Sequence, residues 1–199
     1  MKKYNGIDFP YDYEEIKQLK PKEVKAFFEW FVRQIPERLE ILKKYVNNTT
    51  KVDFNYSTKS LISLWEWFEP EIIIVEKSEK EKEELLNFLR SHAPEYARHQ
   101  IKLEDDDTRN ISDYTRSIAH DIGIYFAETI IRNNEPLKWG YITKPKSLLF
   151  VNKPAVVGFI NKKIMEPLWI IEVMVLRSAR EKEKERLYNL YETWCKYIQ

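Results

Sequence analysis

Four polar side chains recur in one segment with a spacing that places them on the same side of a helix. At 100° per residue, Asp121, Glu128 and Arg132 lie within about 60° of Ser117 around the helix axis. Carboxylates that line a cleft can bind a cation or act as a general acid and base. The alternative, which we favour, is that the Asp121 and Glu128 carboxylates are structural and pair with Arg132 or with lysines further along the chain. Asp121, Glu128 and Arg132 are therefore candidate ligand-binding residues.

A second candidate site is basic. The segment from Lys138 to Lys163 contains six lysines, no acidic residue and several interleaved aromatic side chains. It is typical of solvated turns and edge strands, of a surface for an acidic protein, or of a platform for single-stranded nucleic acid. The segment has no arginine, and the whole chain has a net charge of only +1, which disfavours nucleic acid. The residues selected as the partner-binding face are Trp139, Lys144, Lys146 and Lys153.

Acidic residues are concentrated elsewhere. Glu66 to Glu84 holds eight glutamates and three lysines, and Asp105–Asp107 adds three more carboxylates. Solvated helix faces explain such a run in most proteins. The alternative is an acidic docking face, to which the basic segment of a second copy of the chain could bind.

The motifs of familiar catalytic and metal centres are missing from the sequence. Cys195 is the one cysteine, and the three histidines show no ligand spacing such as C-x-x-C or H-E-x-x-H. The four glycines are too scattered to form a phosphate-binding loop. We accordingly assign no catalytic residue, no metal site and no cofactor.

The polar stripe belongs to the longest predicted helix, from about Ser112 to Asn133. Gly123 lies inside this helix at a cost of ~1 kcal/mol relative to alanine, which indicates a close neighbour, most often another helix. An earlier helix is expected to be kinked or divided at Pro36. The pattern Ser78-x-x-Glu81 predicts a capped helix start.

Three β-rich runs follow the long helix, at Trp139–Thr143, Ser147–Val151 and Ala155–Phe159, with Lys- and Pro-containing turns between them. They predict a three-stranded antiparallel meander over about residues 139–159. Segments 72–75 and 168–176 fit either strand or helix, and a final helix is expected from Glu181 to Tyr197. The predicted fold class is α+β: a mainly helical single domain over residues 1–199, with the meander packed on helices and residues 1–19 irregular.

Composition supports a folded protein with one sizeable core. Of the 199 residues, 43% are hydrophobic and 14% are aromatic. The lone cysteine and the absence of an apolar segment near the first residues predict a cytoplasmic protein. No apolar run approaches the ~20 residues that span a membrane.

Three segments together resemble a family of small uncharacterised proteins from Gram-positive bacteria. They are Lys25–Arg38 (KAFFEWFVRQIPER), Ser60–Phe68 (SLISLWEWF) and Asp121–Phe159. The resemblance spans about Lys20 to Trp194 and implies no established activity. A small α+β domain rich in tryptophan and charge is also similar in general character to the immunity proteins encoded beside bacterial toxins.

Two functions from different classes are consistent with these features. The first is a non-enzymatic, cytoplasmic protein-binding protein, immunity- or adaptor-like, with an acidic protein or a second copy of the chain as partner. The second is a small-ligand-binding protein or enzyme whose cleft is lined by Asp121 and Glu128. Binding of single-stranded nucleic acid by the basic meander is a weaker alternative.

Overall fold

The computed structural model describes residues 3–104 and 107–198, so Asp105 and Asp106 of the predicted acidic cluster lie outside the described residues. The α-helices of the described residues are α1 (Tyr13–Gln18), α2 (Pro21–Asn47), α3 (Thr58–Phe68), α4 (Glu79–His92), α5 (Asp113–Asn133), α6 (Pro167–Ser178) and α7 (Arg186–Cys195). The strands are β1 (Ile74–Glu76), β2 (Arg109–Ile111), β3 (Lys138–Tyr141) and β4 (Pro154–Val157). Short 3₁₀ turns occupy Glu69–Glu71, Glu95–Gln100 and Ile160–Lys162. The protein is therefore mainly helical with small antiparallel sheets, as predicted.

Helix α5 forms the centre of the core, and its side chains are buried around most of its circumference. Its predicted limits are confirmed, because the Ser112 side chain caps the first turn and the helix ends at Asn133. Helix α6 packs along α5. A Cβ added at Gly123 would lie 3.0 Å from the Pro167 carbonyl oxygen of α6, which confirms the predicted approach of another helix.

Helix α2 runs unbroken from Pro21 to Asn47. Pro36 lies inside it without dividing it, although proline removes one backbone hydrogen bond at that point. The buried face of α2 includes Phe27, Phe31 and Arg38.

The prediction of an irregular segment over residues 1–19 is wrong in its last third. Asp12 accepts hydrogen bonds from the backbone N–H groups of Glu14 (2.9 Å) and Glu15 (2.8 Å), and the Glu15 carboxylate accepts one from the Asp12 N–H (2.8 Å). This capping box begins α1. Residues 3–11 before it have no regular secondary structure, and we call residues 3–18 the N-terminal segment.

The three-stranded meander is also wrong, because only its first and last runs are strands. β3 and β4 pair directly in antiparallel register, with Trp139 opposite Val156. The middle run folds into turns, in which the Leu148 N–H donates to the Pro145 carbonyl (3.2 Å) and the Val151 N–H donates to the Leu148 carbonyl (3.2 Å). Met165 forms an isolated antiparallel bridge on the other side of Val156. We call residues 142–153 the basic loop.

The two undecided segments differ in structure. β1 begins at Ile74 and pairs with β2, whereas residues 168–176 are part of α6. The final helix is shorter than predicted, since α7 begins at Arg186 rather than at Glu181. The capping box of Ser78 and Glu81 is confirmed at the start of α4. Within residues 3–104 and 107–198, no helix combines the length and apolar character needed to cross a membrane.

Candidate functional site

Asp121 is fully buried, and its carboxylate is bound by two partners from distant parts of the chain. The Arg38 Nε atom donates to Oδ1 (2.9 Å) and Nη2 donates to Oδ2 (2.6 Å), a bidentate pair. The Tyr4 hydroxyl also donates to Oδ2. Burial is the largest influence and raises the pKa of Asp121, whereas the hydrogen bonds from Arg38 and Tyr4 act in the opposite direction.

The same arginine fastens the N-terminal segment to the helices. Arg38 Nη2 donates to the Asn5 carbonyl (2.5 Å), and Nη1 donates to the Gly6 carbonyl (3.3 Å). Gly6 lies against Ser117 of α5, where an added Cβ would come within 2.5 Å of the hydroxyl oxygen. The Arg38–Asp121 pair therefore positions the backbone of Asn5 and Gly6. Both carboxylate oxygens of Asp121 already accept hydrogen bonds from Arg38 or Tyr4.

Glu128 has separate partners. Its Oε2 accepts from Arg132 Nε (3.0 Å), and its Oε1 accepts from the Trp139 indole N–H (2.8 Å). The Arg132 guanidinium also lies 3.9 Å from the centre of the Tyr56 ring. The structure thus does not join Asp121 and Glu128 in one cleft. Glu128 has the predicted partner Arg132, whereas Asp121 pairs with Arg38 and Tyr4 instead of Arg132 or a lysine of the basic segment.

The four residues predicted as a partner-binding face occupy three different environments. Trp139 packs on Phe31 of α2, with ring centres 5.3 Å apart. Lys144 and Lys146 are exposed on the basic loop, whereas Lys153, the last residue of that loop, lines a cavity. Lys144 and Lys146 are thus both exposed, and the Lys146 ammonium donates to the Lys17 carbonyl (3.3 Å), whereas Trp139 packs against α2 and Lys153 faces the cavity.

The cavity that Lys153 lines has a volume of about 450 Å³ and lies between the N-terminal segment, α2, α5, α6 and the end of the basic loop. Its walls are mainly apolar. Six aromatic rings contribute to them: Phe9, Tyr11, Tyr13, Phe27, Phe31 and Trp169. The rings support one another by edge contacts, such as that between Tyr11 and Phe27 at 5.8 Å. We call this space the aromatic cavity.

A few polar side chains converge on the aromatic cavity from different elements: Asp12, His120, Lys153, Glu166 and Glu172. Glu166 is the N-cap of α6, where its Oε2 accepts from the Trp169 N–H (2.7 Å). Burial raises the pKa of the Glu166 carboxyl, and the charge of Lys153 acts in the opposite direction. Burial also lowers the pKa of the Lys153 ammonium.

His120 and Glu172 form a second polar pair at the cavity. His120 Nε2 and Glu172 Oε1 are 2.7 Å apart, and Arg116 Nε lies 3.6 Å from the same oxygen. Burial raises the pKa of Glu172, but the hydrogen bond with His120 and the charge of Arg116 outweigh it and hold that pKa below its usual value. Glu172 is therefore a partnered carboxylate.

Sequence reasoning missed most of the aromatic cavity. Of its polar residues, only Lys153 is among those predicted from the sequence, and the predicted role is partner binding. The position of Glu166 directly before Pro167 is typical of a helix N-cap, which could have indicated its orientation. The N-terminal aromatic residues gave no comparable pattern, because they meet the other walls only after the segment folds back over α2.

The described residues include no group of three or more His, Cys, Asp or Glu side chains arranged to hold a metal ion. Comparison of the chain with protein-family models, curated proteins and solved structures finds no match. The resemblance to a Gram-positive family therefore stays a prediction, and the functional argument depends on the geometry alone.

Proposed function

We propose that this protein binds a small, largely apolar molecule in the aromatic cavity. Ligand sites are typically concave, about 300–1,000 Å³ in volume, mainly apolar and supplied with a few well-placed polar groups. The aromatic cavity has about 450 Å³ and matches this description. This keeps the small-ligand hypothesis but moves its site away from Asp121 and Glu128.

The observation that carries the proposal is the convergence of six aromatic rings from separate elements around one open volume. Aromatic side chains normally fill a core, and packed interiors leave few voids larger than a water molecule. Here the N-terminal segment is held over the helices by Arg38 while the space beneath it stays unfilled.

A direct test uses indole as the probe and two-dimensional NMR as the readout. We expect indole to shift the signals of residues that line the aromatic cavity. The variant Ile16→Trp places a larger side chain in the wall and should abolish these shifts. The matched control Val32→Trp changes a partly exposed position of α2 outside the cavity and should retain them. Shifts that are absent in the wild type, or that persist in Ile16→Trp, would contradict the proposal.

A second candidate function is the immunity- or adaptor-like binding of an acidic protein partner in the cytoplasm. The supporting observation is that Lys144 and Lys146 are exposed on the basic loop near Leu149, which is itself 48% exposed. An apolar side chain beside exposed cations suits a protein interface.

Charge reversal tests this second proposal. Lys144→Glu with Lys146→Glu should abolish capture of an acidic partner while the melting temperature stays nearly unchanged, because both side chains are exposed. Lys51→Glu with Lys59→Glu is the control, since these lysines are exposed elsewhere. Capture that survives the first pair of changes would reject this surface, and capture of nucleic acid that weakens steeply with salt would favour the third hypothesis.

A further inference from the structure

Glu166 is a buried residue, and one of its two carboxylate oxygens has no partner among the described residues. Its residue is only 4% exposed, and Oε2 is occupied by the Trp169 N–H. Among the described residues, Oε1 accepts no hydrogen bond and no cation lies within ion-pair distance of the carboxylate. A buried carboxylate normally has a cation or several donors as partners. The lack of a donor or cation at Glu166 Oε1 therefore needs an explanation.

Lys153 does not supply it. The Lys153 ammonium lies 4.1 Å from the centre of the Tyr13 ring, and the Lys17 ammonium lies 4.0 Å from the same centre. Lys153 therefore makes a cation–π contact at the α1 side of the cavity. Its charge influences the pKa of Glu166, but no ion pair joins the two groups.

The other carboxylates of the cavity are already satisfied. Glu172 is bound to His120 with Arg116 nearby, and Asp12 caps α1. An anionic ligand group would approach three carboxylates and could pair only with Lys153. A cationic group would meet an unpartnered oxygen of Glu166 instead.

The aromatic walls favour the same sign of charge. The face of an aromatic ring attracts a cation, and the attraction strengthens where water is excluded. Phe9, Phe31 and Trp169 contribute rings to the cavity that also contains the Glu166 carboxylate. An apolar molecule with a cationic nitrogen would use both features at once.

We infer that the ligand of the aromatic cavity is a small organic amine with an aromatic or other apolar body, whose ammonium group donates to Glu166 Oε1. This inference depends on the proposed function, because it names the ligand class of the same site. The apolar body contacts the aromatic rings, and the ammonium completes the hydrogen bonding of the buried carboxylate. The Lys153 ammonium keeps its cation–π contact with the Tyr13 ring at the α1 side of the cavity.

The experiment compares three probes with the same phenylethyl body: 2-phenylethylamine and 2-phenylethanol, which are isosteric, and the larger anion 3-phenylpropanoate. Their dissociation constants are measured by calorimetry at neutral pH with the wild-type protein and with Glu166→Gln. Glutamine keeps an oxygen that can accept from the Trp169 N–H but removes the charge. Glu128→Gln is the matched control, because it neutralises a partly buried glutamate outside the cavity.

We expect the wild type to bind the amine at least about tenfold more tightly than the alcohol, since only the ammonium adds the attraction of opposite charges to its hydrogen bond with the carboxylate. Glu166→Gln should remove this preference, and a cooperative thermal unfolding transition followed by circular dichroism shows that the variant is folded. Glu128→Gln should keep the preference.

The contrary outcomes separate the two proposals. Binding of the alcohol or the acid as tightly as the amine, or an amine preference that survives in Glu166→Gln, overturns the inferred ligand class and leaves the cavity as a binding site. If none of the three probes binds, the inference fails together with the proposed function.

Discussion

Removing the Asp121 carboxylate should destabilise the protein more than any change to an exposed carboxylate of the same helix. In Asp121→Ala the Arg38 guanidinium, only 5% exposed, loses the acceptors at 2.9 and 2.6 Å and keeps the Asn5 and Gly6 carbonyls. Breaking a buried pair by removing one partner costs ~3–5 kcal/mol, because a charge is left buried without compensation. We expect a loss in that range.

The assay is urea denaturation followed by far-ultraviolet circular dichroism, with the free energy of unfolding extrapolated to water. The matched control is Asp113→Ala, also on α5, whose exposed carboxylate forms one ion pair with Arg116 at 3.2 Å. Exposed pairs contribute little, so the control should unfold close to the wild type. A free energy of unfolding for Asp121→Ala within about 1 kcal/mol of the wild type would refute the argument.

A triple variant separates the charge from the shape of this site. Tyr4→Phe, Arg38→Met and Asp121→Leu together replace all three polar groups by apolar ones. Replacement of a complete buried ion pair is often neutral or stabilising, so the triple variant should recover about 2 kcal/mol or more of the loss in Asp121→Ala. A triple variant no more stable than Asp121→Ala would show that the Arg38 hydrogen bonds to the Asn5 and Gly6 carbonyls, and not the uncompensated charge, dominate the loss.

Three further predictions concern the cavity and the core. The affinity for 2-phenylethylamine should fall by up to about tenfold per pH unit below the raised pKa of Glu166, because a protonated carboxyl cannot pair with an ammonium. Calorimetry at a series of pH values measures this affinity. In Glu166→Gln the affinity should not change with pH. His120, Lys153 and Glu172 act on this carboxyl through their charges, and Tyr11, Asp12 and Tyr13 are the other titratable side chains that line the cavity. Gly123→Ala should lower the free energy of unfolding by ~1–3 kcal/mol in denaturation experiments, although alanine is the better helix former, because its Cβ would press on the Pro167 backbone. Tyr125→Phe should cost about 1–2 kcal/mol in the same assay, since the buried hydroxyl lies 2.6 Å from the Ser60 hydroxyl oxygen.

Features that depend on neighbouring residues were predictable from the sequence. The limits of α5 follow from its Ser112 cap and its apolar period, and the start of α4 follows from the Ser78–Glu81 box. The start of α1 was equally local, because Asp12 and Glu15 form the same kind of box. That pattern was present in the sequence and was overlooked.

Features that depend on distant partners were not predictable. Asp121 and Arg38 are 83 positions apart, so no spacing rule connects them. The middle run of the predicted meander has β-forming residues, but its hydrogen bonds close turns and its side chains pack elsewhere, as Phe150 does on Trp169 at 5.2 Å. Tertiary packing overrides a weak local preference in such a run. The resemblance to a Gram-positive family could not replace this information, because it carries no contacts.

The polar stripe that first suggested a ligand site contributes to the aromatic cavity indirectly. Asp121 holds Arg38, and Arg38 binds the backbone of Asn5 and Gly6, which leads into the cavity wall. At the other end of that wall, buried Asn152 donates from Nδ2 to the Ile16 carbonyl of α1 (2.9 Å). The N-terminal segment is thus fixed to the helices near its start and to the basic loop near its end. Its aromatic side chains between these two anchors cover the space that Glu166 faces, so the buried ion pair positions a wall of the aromatic cavity without lining the cavity itself.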